Sequence, residues 1–262
     1  MEFNNDESRI LLIYLAIKYQ GDYDKIITAL ELKEDVPYNE ALDAMKKIRS
    51  KVITFYDYDY PEKLKRCYRP PLVLFYYGDI TLIDDTRRSL GVVGSREYDE
   101  YGKKCVNEIV SPIIRGKVLV SGLARGIDTF AHECAINNNA RTIAVMCTGI
   151  DMCYPPENQE LYEKIKKEHL LISEYPGQVI PERDHFSRRN RILVALSDGL
   201  FVPQINTFAS GTMVSLTIAT NLNKEVFVAP YPYQSQTINN KLIREGATLA
   251  ESGEDIAEDL GW

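Results

Sequence analysis

The chain has 262 residues, 45% of them hydrophobic and 26% charged, with a formal net charge of −7. That composition belongs to an ordinary globular protein and excludes a disordered, collagenous or disulfide-framed chain. The acidic balance argues against a surface that attracts polyanions everywhere, while a local basic groove stays compatible with it because the field in a cleft depends on nearby charges.

The first residues, MEFNNDES, carry acid rather than base and do not read as a signal peptide. The longest apolar run, LLIYLAI at 11–17, falls far short of the roughly 20 residues that cross a bilayer, so no membrane association is expected. The cysteines at 67, 105, 134, 147 and 153 form no CxxC pair and no metal-ligand spacing. An odd number without a secretory signal suggests free thiols in a reducing cytoplasm.

Residues 5–50 read as helical: ESRILLIYLAIKY and NEALDAMKKIRS combine helix-like apolar spacing with good helix formers. The stretch 56–79, rich in Tyr and Pro, reads as a linker followed by a short strand, and its tyrosines as packing between two domains. From residue 89 the pattern changes. Short apolar runs at 90–94, 117–122, 142–147, 170–175, 199–203 and 225–230 are bounded by Gly, Ser or Pro, which suits strands buried on both faces. Helical segments such as YGKKCVNEIVSPIIR, IDTFAHECAINN and GTMVSLTIATNL lie between them. Repeated β–α units predict an α/β fold with a doubly wound, mainly parallel sheet, preceded by a small helical domain.

In such sheets ligands bind beyond the carboxyl ends of the strands. Glycine, serine and arginine recur there: Gly94, Ser95 and Arg96 after the first run, Gly122 and Arg125 after the second, and Ser210, Gly211 and Thr212 after the fifth. The fourth run leads through Arg183 and Phe186 to Arg188, Arg189, Asn190 and Arg191. Glycine admits close backbone approach, helix starts offer free amides, and arginine adds permanent bidentate contacts, so the combination points to an anion. Neither GxGxxG nor a P-loop is present, which weakens the case for NAD or ATP.

The ordered motifs GVVGSREYDEYG, LVSGLARGIDTFAH, TIAVMCTGIDMCYPPEN, LISEYPG, FSRRNRILVALSD, ASGTMVSLTIA and EVFVAP resemble the DNA-processing protein family, DprA or Smf, over roughly residues 56–250. The resemblance implies a Rossmann-like domain at 81–262 behind an N-terminal helical, SAM-like domain and linker at 1–80. It implies binding of single-stranded DNA, protection of incoming strands in natural transformation, loading of the RecA recombinase, a homodimer, and no catalytic reaction or cofactor. Many relatives add a C-terminal winged helix, and none is expected here before Trp262. The sequence departs from the family pattern at Gln204, Ser215, Leu216, Tyr231 and Ile238, which bears on the far side of the pocket.

Individual residues carry alternatives. Arg96 reads as a phosphate ligand or a surface ion pair. On a helix starting near Ser187, Arg188 and Arg191 share one face and Arg189 points away, so some of them are expected to pair with acids such as Asp128 or Glu174. Phe186 reads as a base-stacking platform or a core anchor. Asp128 and His132 lie four apart without a third ligand at a suitable spacing, which favours a mutual hydrogen bond bracing the SGLARGID turn over a metal site. Two other functions compete. A nucleotide phosphoribohydrolase-like enzyme uses a glycine–threonine turn followed by a glutamate, which ASGTMVSLTIA lacks. A nucleotide-sensing module is the other.

Overall fold

The apolar runs become strands. A computed structural model describes residues 5–262; the first four residues of the acidic start, read above as no signal peptide, lie outside the described residues. In chain order the strands are β1 (Lys51–Thr54), β2 (Val73–Gly78), β3 (Ser89–Val92), β4 (Val118–Ser121), β5 (Arg141–Val145), β6 (Leu170–Ser173), β7 (Gly199–Val202), β8 (Val226–Val228) and β9 (Thr248–Leu249). They form one sheet in the order β1-β2-β6-β5-β4-β3-β7-β8-β9.

From β6 through β9 every pairing is parallel, with Leu90 opposite Leu119 and Val120 opposite Ile143. The strand order reverses between β3 and β7, which pair through Gly91 and Leu200. β1 and β2 are antiparallel additions, Tyr76 pairing with Ile172 of β6. The sheet therefore begins at residue 51, upstream of the boundary expected near residue 80. The outermost strands, β1 and β9, are four and two residues long.

Side chains alternate across the pleat, so each strand feeds two apolar layers. Val118, Val120, Ile143 and Val145 face the helices Arg183–Leu196 and Gly211–Asn221. Leu90, Leu119, Phe201 and Phe227 face the helix Ile127–Asn137 and the segment 100–114. On that second side, next to β2 and β6, the N-terminal helices Asn5–Lys18 and Tyr23–Glu31 share a cluster with Gln159–Glu168 through Leu12, Ile13, Ile26, Tyr162 and Ile165. Asp22 starts the second of these helices by accepting hydrogen bonds from the amides of Asp24 and Lys25, supplying the acceptor that a helix start needs. Of the linker tyrosines, Tyr60 is buried and donates to the Pro71 carbonyl at 2.6 Å, whereas Tyr58 and Tyr68 stand in solvent.

Candidate nucleic-acid interface

Reversal of strand order between β3 and β7 opens a crevice beyond their carboxyl ends, where open α/β sheets take ligands. The crevice measures about 930 Å³. It is lined by the loop after β3 (Gly94–Glu97), the loop after β7 (Asn206–Thr212) and one face of Arg183–Leu196. A side pocket of about 310 Å³ adjoins it and adds Gly122 and Arg125 from the loop after β4.

Most residues singled out from sequence meet here. Arg96 is exposed, and its guanidinium stands 4.9 Å from the centre of the Phe186 ring. Phe186 in turn meets the edge of Tyr154 at 5.9 Å. Arg183 is exposed in the first turn of its helix and lines the same crevice. Among the described residues neither Arg96 nor Arg183 forms an ion pair. By contrast Arg125 is tied to Glu157, and Arg188 to Asp184 at 2.9 Å. Glu97 and the buried Asp128 line the same crevice, but neither is in an ion pair with these two arginines, which leaves both guanidinium groups open to an anion.

The loops are braced by their own polar groups. Asn206 donates its amide to Ser95 Oγ at 3.0 Å and its side chain to the Glu97 carbonyl at 2.8 Å. Thr212 Oγ1 donates to the Gly94 carbonyl at 3.2 Å, and Asn190 Nδ2 to the Gly211 carbonyl at 3.0 Å. Ser210 caps the helix Gly211–Asn221, accepting from the Met213 amide. The remaining orphan amides of that first turn favour an anion at the crevice. Gly126 has φ of +77°, and a Cβ there would lie 2.5 Å from the Ser95 carbonyl oxygen and 2.6 Å from that of Arg96. Only glycine lets the two loops approach so closely.

The arginine cluster divides. Arg189 is buried beneath Gly122, donating to the Val145 carbonyl at 2.5 Å and to Asn190 Oδ1 at 3.1 Å. It holds the end of β5 beneath the loop after β4 and lines the crevice only from below. Arg188 and Arg191 share the opposite face of the helix, as their spacing predicts, and line a separate cavity. Arg191 donates to both oxygens of Glu174 at 2.6 Å, and through Nε to the Arg69 carbonyl at 2.9 Å. Both partners are buried.

The expected Asp128–His132 bond is not formed. Asp128, at the start of its helix, turns back to accept from the Ala124 amide at 3.4 Å. His132, a turn further on, reaches β5 and bonds Thr142 Oγ1 through Nδ1 at 2.7 Å, leaving Nε2 buried without a partner. Burial raises the Asp128 carboxyl above its usual range, against the opposing pull of Arg189 and Arg96. Burial pushes His132 down to about 3, so the ring is neutral. Among the described residues, Glu182, Asp184 and His185 bring possible metal-ligand atoms within 4.8 Å of one another, but Asp184 is already engaged by Arg188.

The family model for DNA recombination-mediator protein A matches residues 51–261. The chain belongs to that family. It is 42% identical over 206 residues to the DNA processing protein DprA of Bacillus subtilis, covering 77% of this chain and 68% of that one. It is 38% identical over 204 residues to the DprA of Streptococcus pneumoniae strain R6, covering 77% and 71%. The X-ray structure of DprA from Streptococcus pneumoniae superposes with a TM-score of 0.79 at 29% identity, covering 99% of both chains. DprA from Helicobacter pylori, solved for its single-stranded DNA binding mode, gives 0.73 at 28% identity and covers 82% of this chain and 96% of that one. The sheet and its switch point are thus those of a Rossmann-like DprA fold.

Of the positions expected to depart from the family pattern, Gln204 and Tyr231 meet at Asp99, while Ser215 and Leu216 lie within Gly211–Asn221 and Ile238 precedes Asn239–Arg244. Gln204 is buried. Its Oε1 accepts from the Asp99 amide at 3.0 Å and its Nε2 donates to Asn206 Oδ1 at 2.9 Å. Tyr231 donates its hydroxyl to Asp99 Oδ1 at 3.1 Å. Ser215 lines the crevice with its hydroxyl unpartnered. Sequence reasoning missed Tyr154 and Asn206. Neither is charged or lies in a glycine turn; the aromatic before Pro155 was the available signal for the first, and the second had none.

Proposed function

We propose that the crevice between β3 and β7 binds single-stranded DNA. Arg96 and Arg183 take phosphates, the first amides of Gly211–Asn221 take a third, and Phe186 with Tyr154 offers a ring face to a base. The observation that carries this reading is the pair of exposed arginines, outside any ion pair among the described residues, in a crevice with Phe186 at the switch point. The Helicobacter pylori relative, described by its single-stranded DNA binding mode, supports it. Phosphate contacts carry no sequence information, so base preference is slight. The reading is of a binding role, in which the hydroxyls of Ser95, Ser210 and Thr212 are engaged in loop and cap contacts. In the cell the protein holds incoming strands during natural transformation and passes them, as a homodimer, to RecA.

The test is fluorescence anisotropy with labelled oligo-dT across a salt series. Each phosphate contact contributes about −0.7 to the log–log slope for a single strand. The double variant Arg96→Ala/Arg183→Ala is expected to flatten the slope by about 1.4. Unchanged affinity and slope in that variant sink the reading.

A further inference from the structure

Behind the arginine helix lies a second cavity, of about 310 Å³, that the crevice reading does not use. Its walls are the N-terminal helical segment (Tyr23), the linker (Tyr68, Arg69), and the end of Gly211–Asn221 (Ile218, Leu222). Pockets of this size, mostly apolar with a few convergent polar groups, are the usual form of a small-ligand site. Ser187 lines both this cavity and the DNA crevice, so the two open on either side of one helical turn.

Three features define the occupant. Tyr68 is 78% exposed although it stands at a cavity wall, so one face of its ring lacks a packing partner. The Arg69 guanidinium lies 5.6 Å from the centres of both the Tyr23 and Tyr68 rings, so two aromatic faces and a guanidinium gather at one wall. Arg69 adopts φ of +53°, a left-handed conformation that few non-glycine residues take, and is held there by Arg191 Nε on its carbonyl and Asp24 on its side chain. Charge decides the rest. Arg69 is answered by Asp24, Arg188 by Asp184 and Arg191 by Glu174, so the cavity has no cation to spare for a phosphate. What fits is an uncharged planar heterocycle that stacks on tyrosine and guanidinium faces.

We propose that this cavity receives an unpaired nucleobase from the same strand that occupies the crevice, the backbone passing over Ser187. The inference rests on the crevice reading. It makes the N-terminal helical segment part of the DNA path, since Tyr23 forms one wall of the base site. A free mononucleotide offers the same chemistry, and the test separates the two sources.

Affinity for an oligo-dT length series is measured on the full chain, with Tyr68→Ala and Arg96→Ala. Beyond the length that fills the crevice, the parent is expected to gain affinity, and Tyr68→Ala to lose at least about fivefold of that gain. Arg96→Ala weakens binding at every length. If Arg96→Ala weakens binding but Tyr68→Ala follows the parent throughout, the second site is overturned while the crevice stands. If Arg96→Ala has no effect, the crevice reading itself fails. Tyr68→Trp in a Trp262→Phe background then reports on the site directly. Quenching by long oligo-dT alone supports the proposal, and equal quenching by free thymidine monophosphate overturns the shared strand.

Discussion

Replacing Arg191 with alanine separates a structural arginine from the DNA-binding ones. Its guanidinium donates to both oxygens of Glu174 at 2.6 Å, and to the Arg69 and Arg188 carbonyls at 2.9 Å, in a site where both side chains are largely buried. Truncation leaves the Glu174 carboxylate buried and unanswered, which costs about 3–5 kcal/mol. With a urea m-value near about 3 kcal/mol per M, the unfolding midpoint falls by roughly 1–1.7 M. Replacing both partners, Arg191→Met with Glu174→Leu, removes the stranded charge and recovers most of that loss. Arg96→Ala, at an exposed position, leaves the unfolding free energy within about 0.5 kcal/mol of the parent. Urea titration followed by circular dichroism measures all three. If Arg191→Ala leaves the midpoint unchanged and instead flattens the salt dependence of oligo-dT binding, the assignment of Arg191 to the fold is refuted.

Phe186→Ala is expected to weaken oligo-dT binding by about 1–3 kcal/mol per stacked base with no change in thermal midpoint, measured by anisotropy and calorimetry. Gly126→Ala places a methyl group against two carbonyl oxygens at positive φ; thermal melts should show a loss of about 1–3 kcal/mol, accompanied by weaker DNA binding as the loops separate. His132 takes a proton only near pH 3 when folded but near its ordinary 6.5 when unfolded. Stability from this group is therefore complete above pH 6.5 and falls as pH drops towards 3, by up to about 1.4 kcal/mol per unit. In His132→Phe the acid limb of the urea stability profile should be shallower by that amount, and an identical limb in both proteins would exclude His132 as its source.

The central sheet was legible because strands buried on both faces are written as short apolar runs, and β3 to β8 fall on those runs. The crevice loops were legible because glycine, serine and arginine follow the strand ends. The short strand expected at the end of 56–79 is β2, but its antiparallel place in the sheet, and β1 altogether, were harder. Their place depends on the free edge of β6, a partner far along the chain, and Leu74–Tyr77 reads the same in a sheet as beside a linker. Helical spacing separated Arg189 from Arg188 and Arg191, but not which face met the crevice, because that depends on where Glu174 and Val145 sit. Asp128 and His132 share a helix face, yet each found a nearer partner: the backbone amide at its own turn for one, and Thr142 of the neighbouring strand for the other.

The sheet ends in strands of four and two residues. Margins so brief offer almost no row of vacant amides and carbonyls for another chain to extend. A neighbouring chain that met either margin would find little backbone to pair with and would have to be held by side chains, which guards the sheet against growth into fibres.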